Sequence, residues 1–505
     1  MNEMAEARAG ARRLVSGMLW NALGRGLPLL LALALTPLLI ALMGLERWGL
    51  FTLALALVGV FGVLDLGLGP ALTRALSERM TAGAEATETG RLVGTTLAAL
   101  VLVAALGAAL LWAVLPWLLG AALNVPPALQ AEALAAFRIL ACAAPLIVIN
   151  AALWGVLAAH QRFQAANLVT IPVAAMYYIG PALVLLAWQS LVGVMLVLVA
   201  CRLANTLSYA WLCRGLLPPL RLGAPRLVWP LLRIGGWMTV ASLLNQALLY
   251  ADRFLVGAML TLAAVAHYAT PLDLVLRMWI VPVAVAQAML PAMASAFRLL
   301  PEATAGLLRR GALLMLALTL PACLVLAASG GFVLRLWLGA DFAAEGGTVL
   351  RLLAAGIFFS CLAFAPNALL EAIGRPDAAA KFLLVQVAVF LPLSALLLWG
   401  FGIAGAALAW AVRAAADCAG KFWLAARLYP AAAPAARGLA PGLLAAGLTL
   451  AVTALAPEGA WSWGAAGLGL IAAVALTLRA LTAEERQALR PLLRRPWQAG
   501  KLLKA

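Results

Sequence analysis

Ten ionisable side chains lie inside stretches that are otherwise almost wholly apolar: Arg25, Asp65, Arg202, Asp252, Arg253, Asp273, Arg277, Arg413, Asp417 and Lys421. A charge at the centre of a bilayer costs about 2.5–3.5 kcal/mol on insertion scales, so it persists where it meets a partner charge, a wet cavity or a ligand. Six of the ten are cations and four are anions, and a cavity that gathered them would be net positive. Guanidinium groups bind phosphate oxygens bidentately and stay charged at any working pH. Arg25, Arg202, Arg253, Arg277 and Arg413 are therefore candidates for gripping a phosphorylated substrate. Asp65, Asp252, Asp273 and Asp417 are candidates for static pairs or for holding a coupling proton or sodium ion, since buried carboxylates shift their pKa readily.

Spacing offers a static alternative for some of them. Asp273 and Arg277 stand at i, i+4, and Arg413, Asp417 and Lys421 form an i, i+4, i+8 ladder, so each set could neutralise itself along one helix face. Arg25 has no carboxylate within four residues and lies some ~16 Å into its helix from Leu14. Asp65, in the Gly-rich run Asp65-Leu66-Gly67-Leu68-Gly69 of the next span, is its candidate partner. Arg202 has the same lone character, whereas Arg138 sits at a span end and is expected to snorkel to the surface.

The elements that carry these residues are set by composition. With 66% hydrophobic residues and 11% charged over 505 residues, the chain reads as an all-α polytopic membrane protein. Apolar runs predict about 14 transmembrane helices, at roughly 14–40, 50–71, 92–120, 136–158, 167–188, 190–212, 233–258, 264–290, 309–330, 348–371, 380–400, 402–424, 438–456 and 461–480. The mixed-charge start, Met1–Arg13, leads into a retained first span rather than a signal peptide. With the N-terminus inside, nearly all loop arginines and lysines fall in inner segments, and only Arg47, Arg335 and Arg351 fall outside. That asymmetry predicts cytoplasmic termini and turns the net charge of +16 toward anionic inner-leaflet lipids rather than nucleic acid. The longest outer loop is expected at 331–347.

The pattern from Trp20 through Gly49-Leu50-Phe51 recurs loosely from Trp237 through Ala266-His267-Tyr268, six spans and a linker later. The expected organisation is an N-terminal six-helix lobe (1–213), a Pro-rich cytoplasmic linker (214–232), a C-terminal six-helix lobe (233–430), two additional helices (431–482) and a basic cytoplasmic tail (483–505). Prolines inside spans, among them Pro28, Pro37, Pro172, Pro181, Pro282, Pro291 and Pro392, mark helices able to bend. Six scattered cysteines and two histidines, His160 and His267, predict neither a disulfide framework nor a metal site, and no cofactor motif is present.

Trp48-Gly49-Leu50-Phe51, then Leu64-Asp65-Leu66-Gly67-Leu68 and Arg74, form one set of motifs. A second is Tyr250-Ala251-Asp252-Arg253-Phe254-Leu255-Val256-Gly257 followed by Ala266-His267-Tyr268, with Gly374-Arg375-Pro376 as an inner turn after the tenth span. In these the chain resembles polysaccharide-transport (Wzx-type, O-antigen or exopolysaccharide repeat-unit) flippases of the multidrug/oligosaccharidyl-lipid/polysaccharide exporter superfamily. The resemblance implies two lobes around a central cavity in the bacterial inner membrane. It also implies transfer of undecaprenyl-pyrophosphate-linked oligosaccharide between leaflets by alternating access, without enzymatic chemistry. Implied partners are the lipid-linked oligosaccharide, membrane lipids and the glycan polymerase or export machinery. A multidrug or organic-cation exporter of the same superfamily would favour an acidic cavity, against the basic one expected here. A polyprenyl-phosphate-dependent membrane enzyme would need acidic metal-binding clusters in inner loops or a sizeable outer loop, and neither is present; an ATP-driven transporter subunit stays open, but without a G-x-x-x-x-G-K-[ST] motif it would need a partner for hydrolysis.

Overall fold

The computed structural model describes residues 26, 28–62, 68–81, 85–217, 219–224 and 229–480. Arg25, Asp65, the first 24 residues and the basic tail beyond 480 lie outside the described residues. Among the described residues every element is helical, and nine helices or helix pairs are long and apolar enough to cross a membrane. The chain is a multi-pass membrane protein built as two compact units, Met1–Ala269 and Thr270–Ala505.

The first unit holds α1 (Pro28–Met43), α2 (Leu45–Phe61), α3 (Leu68–Thr81), α4 (Ala86–Trp117), α5 (Pro127–Ala141), α6 (Ala144–Ala159), α7 (Phe163–Ala187), α8 (Leu191–Leu212), α9 (Trp229–Met259) and most of α10 (Leu262–Leu276). Gly44, at φ 76°, turns α1 into α2. The glycine of the Trp48-Gly49-Leu50-Phe51 motif has a steric reason: a Cβ there would stand 2.1 Å from the Leu262 carbonyl oxygen, so only glycine lets α2 meet the start of α10. Glu132 of α5 fastens one end of the unit, accepting from Arg47 Nε at 2.9 Å, Ser190 Oγ at 3.1 Å and the Leu191 N–H at 2.7 Å. Asn124, after a π-turn (Leu118–Ala122) that ends α4, donates to the carbonyls of Ala258 and Leu260 and so occupies orphan acceptors at the end of α9. Residues 219–224 lie along the first turns of α4. There the Gly223 N–H donates to Thr95 Oγ1 at 2.8 Å, and a Cβ on Gly94 would come within 2.5 Å of the Arg221 carbonyl.

The second unit continues from α10 into α11 (Ile280–Ala296), α12 (Pro301–Leu338), α13 (Ala340–Leu362), α14 (Phe364–Ala372), α15 (Pro376–Leu428), α16 (Ala433–Leu455) and α17 (Ala460–Ala480). The long outer loop expected at 331–347 does not exist. Its polar residues belong to helix ends, Arg335 in the last turn of α12 and Asp341 in the first turn of α13, where each suits the helix dipole. Gly339, at φ 97°, makes the whole connection. The expected division between spans at 400–402 is present as a break inside α15 at Gly402, φ 58°, after which the chain returns along itself: a Cβ on Gly405 would stand 1.9 Å from the Leu397 carbonyl oxygen.

One break occurs where an apolar environment should penalise it. Ser329 in α12 has non-helical φ −132°, ψ 27°. The carbonyls it disconnects are taken by side chains from elsewhere: Ala327 O accepts from Arg351 Nε at 2.8 Å and Ala328 O from Ser462 Oγ at 3.0 Å. The Gly331 N–H donates to Glu458 Oε1 at 2.7 Å. Arg351 also donates to Thr453 O at 2.8 Å and to Ala456 O, and pairs with Glu458 at 3.8 Å. Irregular backbone at membrane depth is tolerated where protein satisfies it, and this arginine does so. The outer-segment reading of Arg351 is thereby corrected: it lies inside α13, 7% exposed.

Candidate functional site: a polar cavity in the first unit

The inner faces of α6, α7 and α8 do not close on one another. Between them is a cavity of about 390 Å³ lined by Leu146, Ile147, Asn150, Ala151 and Trp154 of α6, Asn167, Thr170 and Tyr177 of α7, and Arg202, Asn205 and Tyr209 of α8. Apolar helices packed only for burial would not collect three amides, two hydroxyl-bearing residues beside a tyrosine, and a guanidinium around one cavity.

Arg202 is the charged member of this lining. Its guanidinium carbon lies 5.3 Å from the Tyr177 ring centroid, so the aromatic face carries part of its charge. Its Nε is buried with no hydrogen-bond partner, and so is Asn205 Oδ1, three residues further along the same helix face. The neighbouring groups are held in place. Thr170 and Tyr209 share a hydroxyl–hydroxyl bond, Asn150 Nδ2 donates to Thr206 Oγ1 at 3.5 Å, and Trp154 stands over Tyr209 with ring centroids 6.1 Å apart. A donor-only cation and an acceptor-only oxygen thus remain unused within a fixed polar frame.

Arg253 and Asp252 lie elsewhere in the unit, on α9, 2% and 0% exposed. Asp252 accepts from the Arg253 backbone N–H at 2.8 Å and from the Tyr268 hydroxyl, while the Arg253 guanidinium lies 5.2 Å from the Tyr250 ring centroid. These contacts tie α9 to α10 in a closed buried cluster. Asp273 and Arg277 sit at the junction in the second unit, where α10 ends at Leu276 and Arg277 opens a 3-10 turn, Arg277–Trp279. Further along that unit, Asp417 accepts from Lys421 at 2.9 Å and from Gln386 Nε2 at 2.7 Å, and Arg413 lies 5.3 Å from the Phe390 ring centroid and 5.6 Å from that of Trp410. Among the described residues that the sequence named, Arg202 is the one that lines this cavity.

Residues 14–297 match the model of the polysaccharide biosynthesis protein family, more than half of the chain and all three cavity helices. The chain belongs to that family. This polysaccharide biosynthesis protein is 25% identical over 419 residues to a Shigella flexneri protein named "Putative O-antigen transporter", covering 82% of the chain and 98% of the relative. Its fold is that of membrane transporters. An inward-facing multidrug resistance MATE family transporter of the MOP superfamily superposes with a TM-score of 0.70 at 13% identity, over 82% of this chain and 95% of that one. The lipid II flippase MurJ in an inward closed conformation superposes at 0.68 and 14%, over 94% and 100%. A Pyrococcus furiosus MOP superfamily transporter, described by a binding pocket of reverse polarity, superposes at 0.56 and 15%, over 82% and 96%. The family and these relatives are those of a transporter, not an enzyme.

Sequence reasoning reached Arg202 but not the rest of the lining. Neutral amides and aromatics carry no charge to stand out in an apolar run, and Asn150, Asn167 and Asn205 come from three helices with no shared spacing. A usable signal was present: each amide stands in a predicted span, Asn150 in 136–158, Asn167 in 167–188 and Asn205 in 190–212.

Proposed function

We propose that this protein is a flippase that moves undecaprenyl-pyrophosphate-linked oligosaccharide repeat units from the inner to the outer leaflet of the bacterial inner membrane by alternating access. The observation that carries the reading is a membrane cavity whose charged lining group is a cation, in a chain that matches 98% of the length of the Shigella flexneri relative. A cavity holding Arg202 without a carboxylate in its lining suits an anionic, hydroxyl-rich cargo and disfavours an organic cation. Arg25, Arg277 and Arg413 are the candidate cations for the pyrophosphate. We assign Asp252 and Arg253 to joining α9 and α10, with Asp65 and Asp252 as the carboxylates where a coupling proton or sodium ion would be held. Asp273 and Asp417 offset neighbouring cations.

The direction of transfer is favourable. A head group with about two negative charges gains roughly 4.6 kcal/mol on moving outward across 100 mV, inside negative. With both termini cytoplasmic, the cavity would lie in the inner half of its unit, where the lipid-linked glycan is loaded. The experiment is reconstitution of the purified protein into vesicles carrying a polyprenyl-pyrophosphate-linked oligosaccharide, with glycan exposure read by a membrane-impermeant lectin. Protein-dependent exposure that falls at least tenfold in Arg202→Ala is expected. Absence of exposure, with efflux of an organic cation from the same vesicles, would overturn the proposal.

A further inference from the structure

We infer that the cavity between α6, α7 and α8 is a pocket for a single carboxylate-bearing sugar ring, so that the transporter selects acidic over neutral repeat units. Its role in transport rests on the flippase reading above; its ligand follows from its own chemistry.

The size comes first. At about 390 Å³ the cavity is near the small end of ligand pockets, about 300–1,000 Å³. It takes a group of one or two rings, not a repeat unit with its lipid. Charge then narrows the ligand. Arg202 meets no carboxylate in the lining, and a single guanidinium in a low-dielectric setting is matched by one negative charge. A pyrophosphate, with about two charges, would leave one uncompensated there. A planar carboxylate fits the guanidinium fork of Arg202, which lines the cavity, through two parallel hydrogen bonds.

The remaining groups specify what surrounds the carboxylate. Asn205 lines the same space, and its amide suits an O–H beside the ligand's anion. Asn150 and Asn167 line the same space and can hydrogen-bond neighbouring hydroxyls from both ends of their amides. Trp154, 38% exposed, offers an aromatic face on which the C–H face of a pyranose packs while its hydroxyls point to the amides. A phosphate without hydroxyls would use Arg202 but leave the amide frame idle.

The test is binding of methyl β-D-glucuronide and methyl β-D-glucoside to the purified full-length protein, by calorimetry and saturation-transfer NMR. The glucuronide should bind at least tenfold more tightly. Arg202→Gln should erase the difference, Arg202→Lys should retain part of it, and Asn205→Asp, which places a carboxylate one helical turn from Arg202, should erase it too, with thermal stability recorded for each variant. Equal binding of the two sugars, binding of neither, or an undiminished preference in folded Arg202→Gln would overturn the inference. Displacement of the glucuronide by inorganic phosphate or phosphatidylglycerol at lower concentration would also overturn it and assign the cavity to phosphate. The vesicle assay separates the two readings. Translocation of lipid-linked glycan without a glucuronide preference overturns the sugar pocket alone, and glucuronide binding without translocation overturns the flippase reading alone.

Discussion

Arg351 and Arg202 are both arginines inside apolar helices, one in each unit, and their surroundings differ in kind. Arg351 spends its donors on the carbonyls of Ala327, Thr453 and Ala456 and on Glu458. Arg202 leans on a tyrosine ring and keeps a buried Nε without a partner at the wall of a cavity. A guanidinium that donates to buried backbone carbonyls is structural, because removing it orphans what it satisfied. One with capacity left over, held in place by neighbours that do not use it, is available to something that arrives later. Sites that bind are often sites where stability has been given up.

That contrast can be broken by stability measurements on four variants. Arg351→Ala should have the largest effect, at least about 3 kcal/mol, because buried carbonyls left without donors cost about 1–3 kcal/mol each; the denaturation midpoint in detergent measures it. Gly330→Ala should follow at about 1–3 kcal/mol, since its Cβ would lie 2.6 Å from Arg351 Cγ and 3.1 Å from the Gly347 carbonyl oxygen, an overpacked site with backbone on one side. A neutral Gly330→Ala would mean that Arg351 can move and that the joint is loose. Glu458→Gln should cost under about 1 kcal/mol, because its side chain is 37% exposed and the amide oxygen can still accept from the Gly331 N–H. A loss as large as that of Arg351→Ala would make the ion pair, not the carbonyls, the basis of the joint. Arg202→Ala should change stability least, within about 1 kcal/mol, the scale of the stacking it gives up. A collapse of abundance in Arg202→Ala would place it with Arg351 and remove the basis of the comparison.

The span pattern was legible in the sequence because bilayer thickness fixes the length of an apolar run: the helices at 87–122, 164–187, 191–212 and 262–296 overlie the predicted ones. The division at Gly402 was legible through its paired glycines, Gly400 and Gly402. The single-residue turn at Gly339 was not, because Arg335 and Asp341 have the composition of a loop and serve instead at helix ends. Arg351 was misread for a related reason. Its partners are main-chain carbonyls freed by a break at Ser329, and a sequence shows neither the break nor the carbonyls. Arg202 was visible as a lone cation, but the Tyr177 ring it leans on and the amides around it come together only when three helices pack.

The strap formed by residues 219–224 bears on how the protein can be engineered. A Pro-rich connection between two halves of a transporter invites the insertion of a fluorescent protein or an affinity tag, or severing into co-expressed halves. Here the segment is keyed to α4 by the Gly223–Thr95 hydrogen bond and by a glycine at 94 that leaves no room for a shift in register. Extra residues between 219 and 224 would pull that key out of its slot, so a fusion partner is better joined outside this segment.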